Sequence, residues 1–380
     1  MKRCGLALLL LSLLPFCAAA LDFSSDEQAR ILAHGPWPPA PLADASNRVQ
    51  DRPDAVALGQ ALFFDKAVSA SGRRACATCH RPVQAFSDGQ PTARSERNTP
   101  SLFDAGQRRW FGWDGGHDNL WSASLAPLLA EHEIAATPAS LLARLQAAPA
   151  LAARYRRLFG PLQADAALAV NVAKALAAYQ ATLVSPRTPF DDFRDALARG
   201  DRQTAARYPA AAQRGLRLFI GTGRCSVCHA GPMFSNGEFA DIGVPFFTRG
   251  GADSGRWGGI ERVRASASNR LGGLSDAGPD DARAVGTRHL VLEPRHFGEF
   301  KVPGLRQLTR TAPYMHNGSL PTLESVVQHY SQLDEERLHA DGERILRPLR
   351  LSDGEAADLA AFLRSLSSVQ ASVRPAGRRR

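Results

Sequence analysis

Twice along this chain two cysteines stand with two residues between them and a histidine directly after the second: Cys76-Ala-Thr-Cys79-His80 and Cys225-Ser-Val-Cys228-His229. No other feature restricts the fold as tightly. In such a motif the two thiols suit the separation of the haem vinyl groups and can bond them covalently. The abutting histidine can swing beneath the iron as its proximal ligand. Zinc is the competing reading of paired cysteines. Zinc-binding pairs usually stand about 15–20 residues apart, whereas Cys225 follows Cys76 by 149 residues and each pair brings its own histidine. Two covalent c-type haems are expected, one on Cys76, Cys79 and His80, the other on Cys225, Cys228 and His229.

An export signal opens the chain. Lys2 and Arg3 form a basic segment, Leu6 to Phe16 is apolar but too short to span a bilayer, and Ala18-Ala19-Ala20 offers a small-residue cleavage site. Residues 1–20 are read as a signal peptide cleaved near Ala20, which predicts a periplasmic protein without stable membrane insertion. A lipoprotein would need Cys17 as its modified residue, and the bulky Phe16 before it argues against that. Cleavage removes Cys4 and Cys17, leaving the four motif cysteines and none for a disulfide staple. The formal charge of +9 drops to +7 as Lys2 and Arg3 leave. Residues 371–380, ending in Arg378-Arg379-Arg380, form a basic tail. The excess reads as a solvated surface able to steer an acidic redox partner. No nucleic-acid motif accompanies it.

Each haem motif sits in the same company. Gly59-x-x-Leu62-Phe63 precedes the first, and Phe86-Ser87-Asp88-Gly89 follows it. Gly215-x-x-Leu218-Phe219 precedes the second, and Phe234-Ser235-Asn236-Gly237 follows. Elements repeated in one order predict two tandem haem domains, over residues 21–205 and 206–370. Pro186, Pro189, Gly200 and Pro209 punctuate the join.

Between the motifs the pattern is helical. Thr137-Pro138 offers an N-cap with proline at the first helical position, followed by Leu141, Leu142, Leu145 and Leu151. A second amphipathic stretch runs over 165–183. Near the C-terminus Leu323, Val326, Val327 and Tyr330 share one helical face, and Ser352-x-x-Glu355 is a capping box ahead of Leu359, Phe362, Leu363 and Leu366. Residues 248–290, rich in Gly, Ser, Asp and Arg, read as a long surface excursion. The fold class is mainly α, two tandem cytochrome c-like haem domains.

Further motifs carry a resemblance over nearly the whole mature chain. They are Leu62-Phe63-Phe64-Asp65, Arg97-Asn98-Thr99-Pro100-Ser101-Leu102 and Trp113-Asp114-Gly115, then Val302-Pro303-x-Leu305-Arg306 and Thr311-Ala312-Pro313-Tyr314-Met315-His316-Asn317-Gly318. With them the chain resembles the bacterial dihaem cytochrome c peroxidase family, which includes MauG. The resemblance implies a peroxidatic N-terminal haem and an electron-relaying C-terminal one. It implies that Glu133, twenty residues after Trp113, serves over the peroxidatic haem as the carboxylate that moves a proton during O–O cleavage. It makes Trp113 the bridge between the haems, and Asn98 the side-chain ligand of a calcium ion to which Thr311 and Pro313 add carbonyl oxygens. Without that context Glu133 would read as a solvated helix-end carboxylate and Trp113 as core. Glu131, Trp110, Trp121 and Trp257 keep such ordinary readings.

Departures from the family pattern are equally informative. Other members place a histidine about sixteen residues after the first motif to cap the peroxidatic iron. Here that position is Glu96, and no histidine lies between His80 and His117, so the first haem is expected to be open at rest. The methionine expected on the second haem falls at Tyr330, the residue of MauG-type members. Tyrosinate is an established haem ligand; a buried tyrosine donating to a carbonyl is the alternative. Met233 and Met315 are the other thioethers, and His329, next to Tyr330, should point elsewhere. Ala123 replaces a glutamine near the distal pocket. The expected function is reduction of hydrogen peroxide. The electrons come from a small cytochrome c or copper protein, or, as in MauG, from a protein substrate; a homodimer is compatible. The rival is a non-catalytic dihaem electron-transfer cytochrome with both irons closed.

Overall fold

The computed structural model describes residues 22–90, 97–248, 251–342 and 345–368. The segment 1–20, the tail 371–380 and Glu96 lie outside the described residues. The chain is mainly helical, 46% helix against 4% strand, as expected. Among the described residues no helix is long and apolar enough to cross a membrane.

Two hydrophobic cores account for the packing. In the first, the helix Pro53–Phe63 crosses the long helix Ala166–Ala181, burying Leu58, Leu62 and Phe63 against Val172, Leu176 and Tyr179. In the second, Ala210–Ile220 crosses Asp353–Ser365, burying Leu216 and Phe219 against Leu359 and Phe362. The repeated glycine sits at each crossing. A Cβ on Gly59 would stand 1.9 Å from the Ala175 carbonyl oxygen, and one on Gly215 would stand 2.0 Å from that of Asp358. The Gly-x-x-Leu-Phe repeat is thus a device for bringing two helix backbones into contact.

The cores do not divide at residue 205. Phe23 and Ile31, with Phe190, Phe193, Ala196 and Ala205, pack in the second core beside Phe219 and Phe362. The Pro189–Ala198 helix is tied there by Asp191, which takes a bidentate pair of hydrogen bonds from the buried Arg306 at 2.8 and 2.9 Å.

The expected caps form. Thr137, Thr322 and Ser352 each accept from the backbone N–H three residues on. Leu151, expected with Leu141, belongs instead to a separate helix, Pro149–Phe159, because Pro149 starts a new first turn. The region expected as a surface excursion is partly core. The helix Arg256–Ala265 buries Arg256, Ile260 and Val263. Arg270 is buried with Asp44 and Asp281 at 2.7 and 2.8 Å. The composition of this stretch looked solvated because arginines that would mark a surface are taken inside, Arg270 by two carboxylates and Arg256 by aromatic rings.

Candidate functional site

Cys76–Cys79 forms a single helical turn and Cys225–Val227 a 3-10 turn, so both pairs present their sulfurs from one local scaffold. None of the four cysteines is in a disulfide. The histidines are oriented alike: His80 Nδ1 lies 2.8 Å from the Phe86 carbonyl and His229 Nδ1 lies 2.9 Å from that of Phe234. A carbonyl only accepts, so Nδ1 carries the proton and Nε2 keeps its lone pair for a metal, the arrangement usual for ligating histidines. Burial holds both imidazoles below the usual range, hence neutral. Phe86 and Phe234 aim their carbonyls from left-handed backbone at φ 59° and 52°. The Phe-Ser-(Asp/Asn)-Gly repeat is therefore the strap that orients the proximal histidine. Pro100 and Pro303 supply a further carbonyl to each ring, which extends the repeat into Asn98–Leu102 and Val302–Leu305.

The surroundings differ between the two cradles. Glu133 follows the helix Leu120–Leu129 in a tight turn, its N–H donating to the Ala130 carbonyl at 3.0 Å. Arg74, two residues before Cys76, donates to the carbonyls of His132 and Glu133. That ties the turn to the first haem motif. The Glu133 side chain is half-exposed, with His132 Nε2 3.7 Å away, and its charge acts on the Cys76 thiol, which burial above all pushes up to about 12. Tyr330, on the helix Leu323–Ser331, faces the second motif. Burial and then the charges of Cys225 and Cys228 raise its phenol. Its hydroxyl finds no hydrogen-bond partner among the described residues. His329 is turned away, its Nε2 2.8 Å from the Ile242 carbonyl.

Trp113 lies where the halves meet. Its indole N–H donates to the Asn98 carbonyl at 2.7 Å, and its own carbonyl accepts from Lys301 N–H at 2.7 Å. Lys301 belongs to a short antiparallel ladder, Phe300–Lys301 against Phe239–Ala240. The next residue, Asp114, pairs with Arg97 at 2.7 Å and Arg262 at 2.5 Å, and Arg97 also grips Asp253 through two 2.7 Å bonds. Burial alone would raise the Asp114 carboxyl, but the two guanidiniums hold it down at about 2. Trp110 and Trp121 are core residues, and Ala123 packs beside Trp121. Sequence reasoning missed Asp253, Arg262 and Arg256, whose partners are distant in the chain.

Asn98 and Pro313, two residues of the expected calcium set, are neighbours joined by a hydrogen bond. The Asn98 Nδ2 lies 2.6 Å from the Pro313 carbonyl, while the Thr311 carbonyl accepts no hydrogen bond among the described residues. No cluster of three His, Cys, Asp or Glu side chains stands there or elsewhere among the described residues.

Fold and cradles together define a two-haem c-type protein whose haem motifs share a proximal strap and differ in their surroundings. A family model described as di-haem cytochrome c peroxidase matches residues 53–199. The chain is 34% identical to the methylamine utilization protein MauG of Methylorubrum extorquens, over 84% of this chain and 80% of that one. It is 32% identical to the cytochrome-c peroxidase IdrP1 of Denitromonas iodatirespirans, over 95% and 93%. Among solved structures, a MauG-like protein associated with microbial copper homeostasis shares the fold, with a TM-score of 0.67 at 23% identity over 89% and 97% of the chains. The chain belongs to the di-haem cytochrome c peroxidase family: it is a peroxidase-type oxidoreductase with two c-type haems.

Proposed function

We propose that the haem held by His80 is the peroxide-reducing site, that the haem held by His229 stores and relays electrons, and that a protein supplies those electrons in a MauG-like manner. The observation that carries this reading is the inequality of the cradles: a carboxylate, Glu133, beside the first and an unpartnered phenol, Tyr330, facing the second. When bound, the haems supply the iron and the conjugated ring at which oxidising equivalents are generated and held.

The chain's own residues do the rest. The Glu133 carboxylate takes the proton from the inner oxygen of hydrogen peroxide and returns it to the outer one, which leaves as water as the O–O bond breaks; the inner oxygen becomes the second water with two electrons from the protein donor and two protons from solvent. The half-exposed position of Glu133 gives solvent access for those two protons. Trp113 connects the halves electronically. Its indole N–H rests on an amide carbonyl too weakly basic to take the proton, so the ring keeps it as an electron passes. Tyr330 would hold the iron of the second haem; burial keeps its phenol protonated by itself, and the positive charge of a bound ferric iron would let it bind as phenolate, an anionic donor that favours the oxidised forms.

Calcium fits conditionally. With its carboxamide turned over, Asn98 would set an oxygen against the Pro313 carbonyl oxygen, an arrangement that only a cation between them relieves. Thr311 would then add its free carbonyl. The leading segment and the haem chemistry support export to the periplasm. A homodimer fits this reading but carries none of it.

The test is stoichiometric peroxide added to the ferric protein, followed by reduced cytochrome c. A long-lived oxidised state that ignores cytochrome c supports a protein substrate. Rapid turnover would instead indicate the peroxidase branch fed by a small cytochrome or copper protein. No change in the haem bands would leave only electron transfer.

A further inference from the structure

Around Trp110, where the halves meet, positive charge accumulates without matching carboxylates. Arg108 is half-buried. Its Nη2 donates to the carbonyls of Ser101 and Phe103 at 2.9 and 2.6 Å, and among the described residues it makes no ion pair. Lys301 is half-buried too, and among the described residues its ammonium is held only by the Trp110 carbonyl at 3.3 Å. The two carboxylates whose charge reaches this pair are turned elsewhere. Asp114 is bridged to Arg97 and Arg262, and Asp104 accepts the Ser185 N–H at 2.7 Å. Arg256, sandwiched 4.3 Å from the Trp110 ring and 3.9 Å from that of Phe239, adds a further buried cation with no carboxylate bridge among the described residues.

Cations withdrawn from water without an anion are costly. Burial, then the charge of Arg108, pushes the Lys301 ammonium down to about 7, a strain that a neighbouring anion would relieve. The location says which anion. Arg108 grips the carbonyl of Ser101, the neighbour of Pro100, whose carbonyl serves His80, and the Arg108 charge is felt at the His80 ring. The pair therefore borders the first haem cradle.

We propose that Arg108 and Lys301 are the carboxylate-binding pair for the propionates of the haem held by His80. The proposal rests on the haem reading of that motif. It assigns Lys301 two roles from one residue: the main chain holds the Trp113 carbonyl through its N–H, and the ammonium, at the Trp110 carbonyl, compensates propionate charge. The electron path and the potential of the first haem are thereby set by one short strand.

The test is a potentiometric titration of the full-length holoprotein, following each haem by its own bands, for wild type, Lys301→Met and Lys301→Arg. Haem content is measured alongside as pyridine haemochrome. Removing a cation beside propionates leaves their charge uncompensated and stabilises the ferric state. Lys301→Met should therefore lower the potential of the first haem and leave the second unchanged, while Lys301→Arg stays near wild type. The redox-difference infrared bands of propionate carboxylate should move in Lys301→Met as well. With two haems bound, an unmoved first potential, or equal shifts of both, would overturn the proposal. A chain without haem would overturn the haem reading itself.

Discussion

At the scale of single residues, the proposed function gives Glu133 and Tyr330 opposite tasks, and neither side chain belongs to the strap that orients His80 or His229. Glu133→Gln keeps the shape and loses the proton carrier. The reaction with peroxide should slow by about 10²–10⁴-fold, the usual weight of positioned acid–base catalysis, with both haems still bound; stopped-flow mixing with ferric protein measures it. An unchanged rate would return Glu133 to a solvated turn carboxylate. Tyr330→Phe should convert the second haem from six-coordinate to five-coordinate high-spin in electron paramagnetic resonance and raise its potential, since an anionic donor is gone. Unaltered spectra would leave Tyr330 as packing. Both candidates could be named from sequence because the family resemblance fixes their distance along the chain from a motif. Arg108 and Lys301 could not be singled out, since a cation with no neighbouring motif looks solvated. Only the tertiary structure takes away the carboxylates that would neutralise it.

Elements show the same division. The capped helices at Thr137, Thr322 and Ser352 could be read from local chemistry because a cap is a contact three residues long. The helix Arg256–Ala265 could not. Its buried residues are Arg256, Gly259, Ile260 and Val263, just two of them large and apolar, and the aromatic rings that accommodate Arg256 come from elsewhere in the chain. The repeated glycine was legible as a motif, but its reason was not, since the opposing carbonyl belongs to a helix more than a hundred residues away. That reason is testable. Gly215→Ala forces a methyl against the Asp358 backbone and Gly59→Ala against Ala175, so each should cost at least about 1–3 kcal/mol, the usual penalty of overpacking. Gly354, on the same helix as Asp358, meets nothing within 4 Å. Gly354→Ala should be neutral or stabilise by a few tenths of a kcal/mol to about 1 kcal/mol. Thermal unfolding by circular dichroism compares the three. Equal effects at Gly215 and Gly354 would remove the crossing as the explanation of the repeat.

For the whole molecule, the halves are held in register over Trp113 by the network of Asp114 with Arg97 and Arg262, extended through Arg97 to Asp253. Arg262 and Asp253 come from the stretch that composition alone assigned to the surface, so the sequence hid the joint while displaying both cradles. The joint should reveal itself through pH. An aspartate in an unfolded chain titrates near about 4, whereas in the fold Asp114 is held at about 2 by its two guanidiniums against the opposing effect of burial. The unfolded chain therefore binds this proton first as pH falls. The stabilisation is complete above about pH 5, fades on acidification and is gone only by about pH 1, below the folded value, and the linkage amounts to roughly 2–3 kcal/mol. Asp114→Asn should lower stability at neutral pH and remove this pH dependence. The stability difference between wild type and variant should stay level from about pH 7 to 5 and narrow steadily below 4. Denaturant unfolding across that range gives the difference directly, with contributions common to both proteins, including those of the haems, cancelling. A gap that stays level down to pH 2 would mean that the guanidiniums do not hold the charge of Asp114, and that the halves are kept together by packing alone.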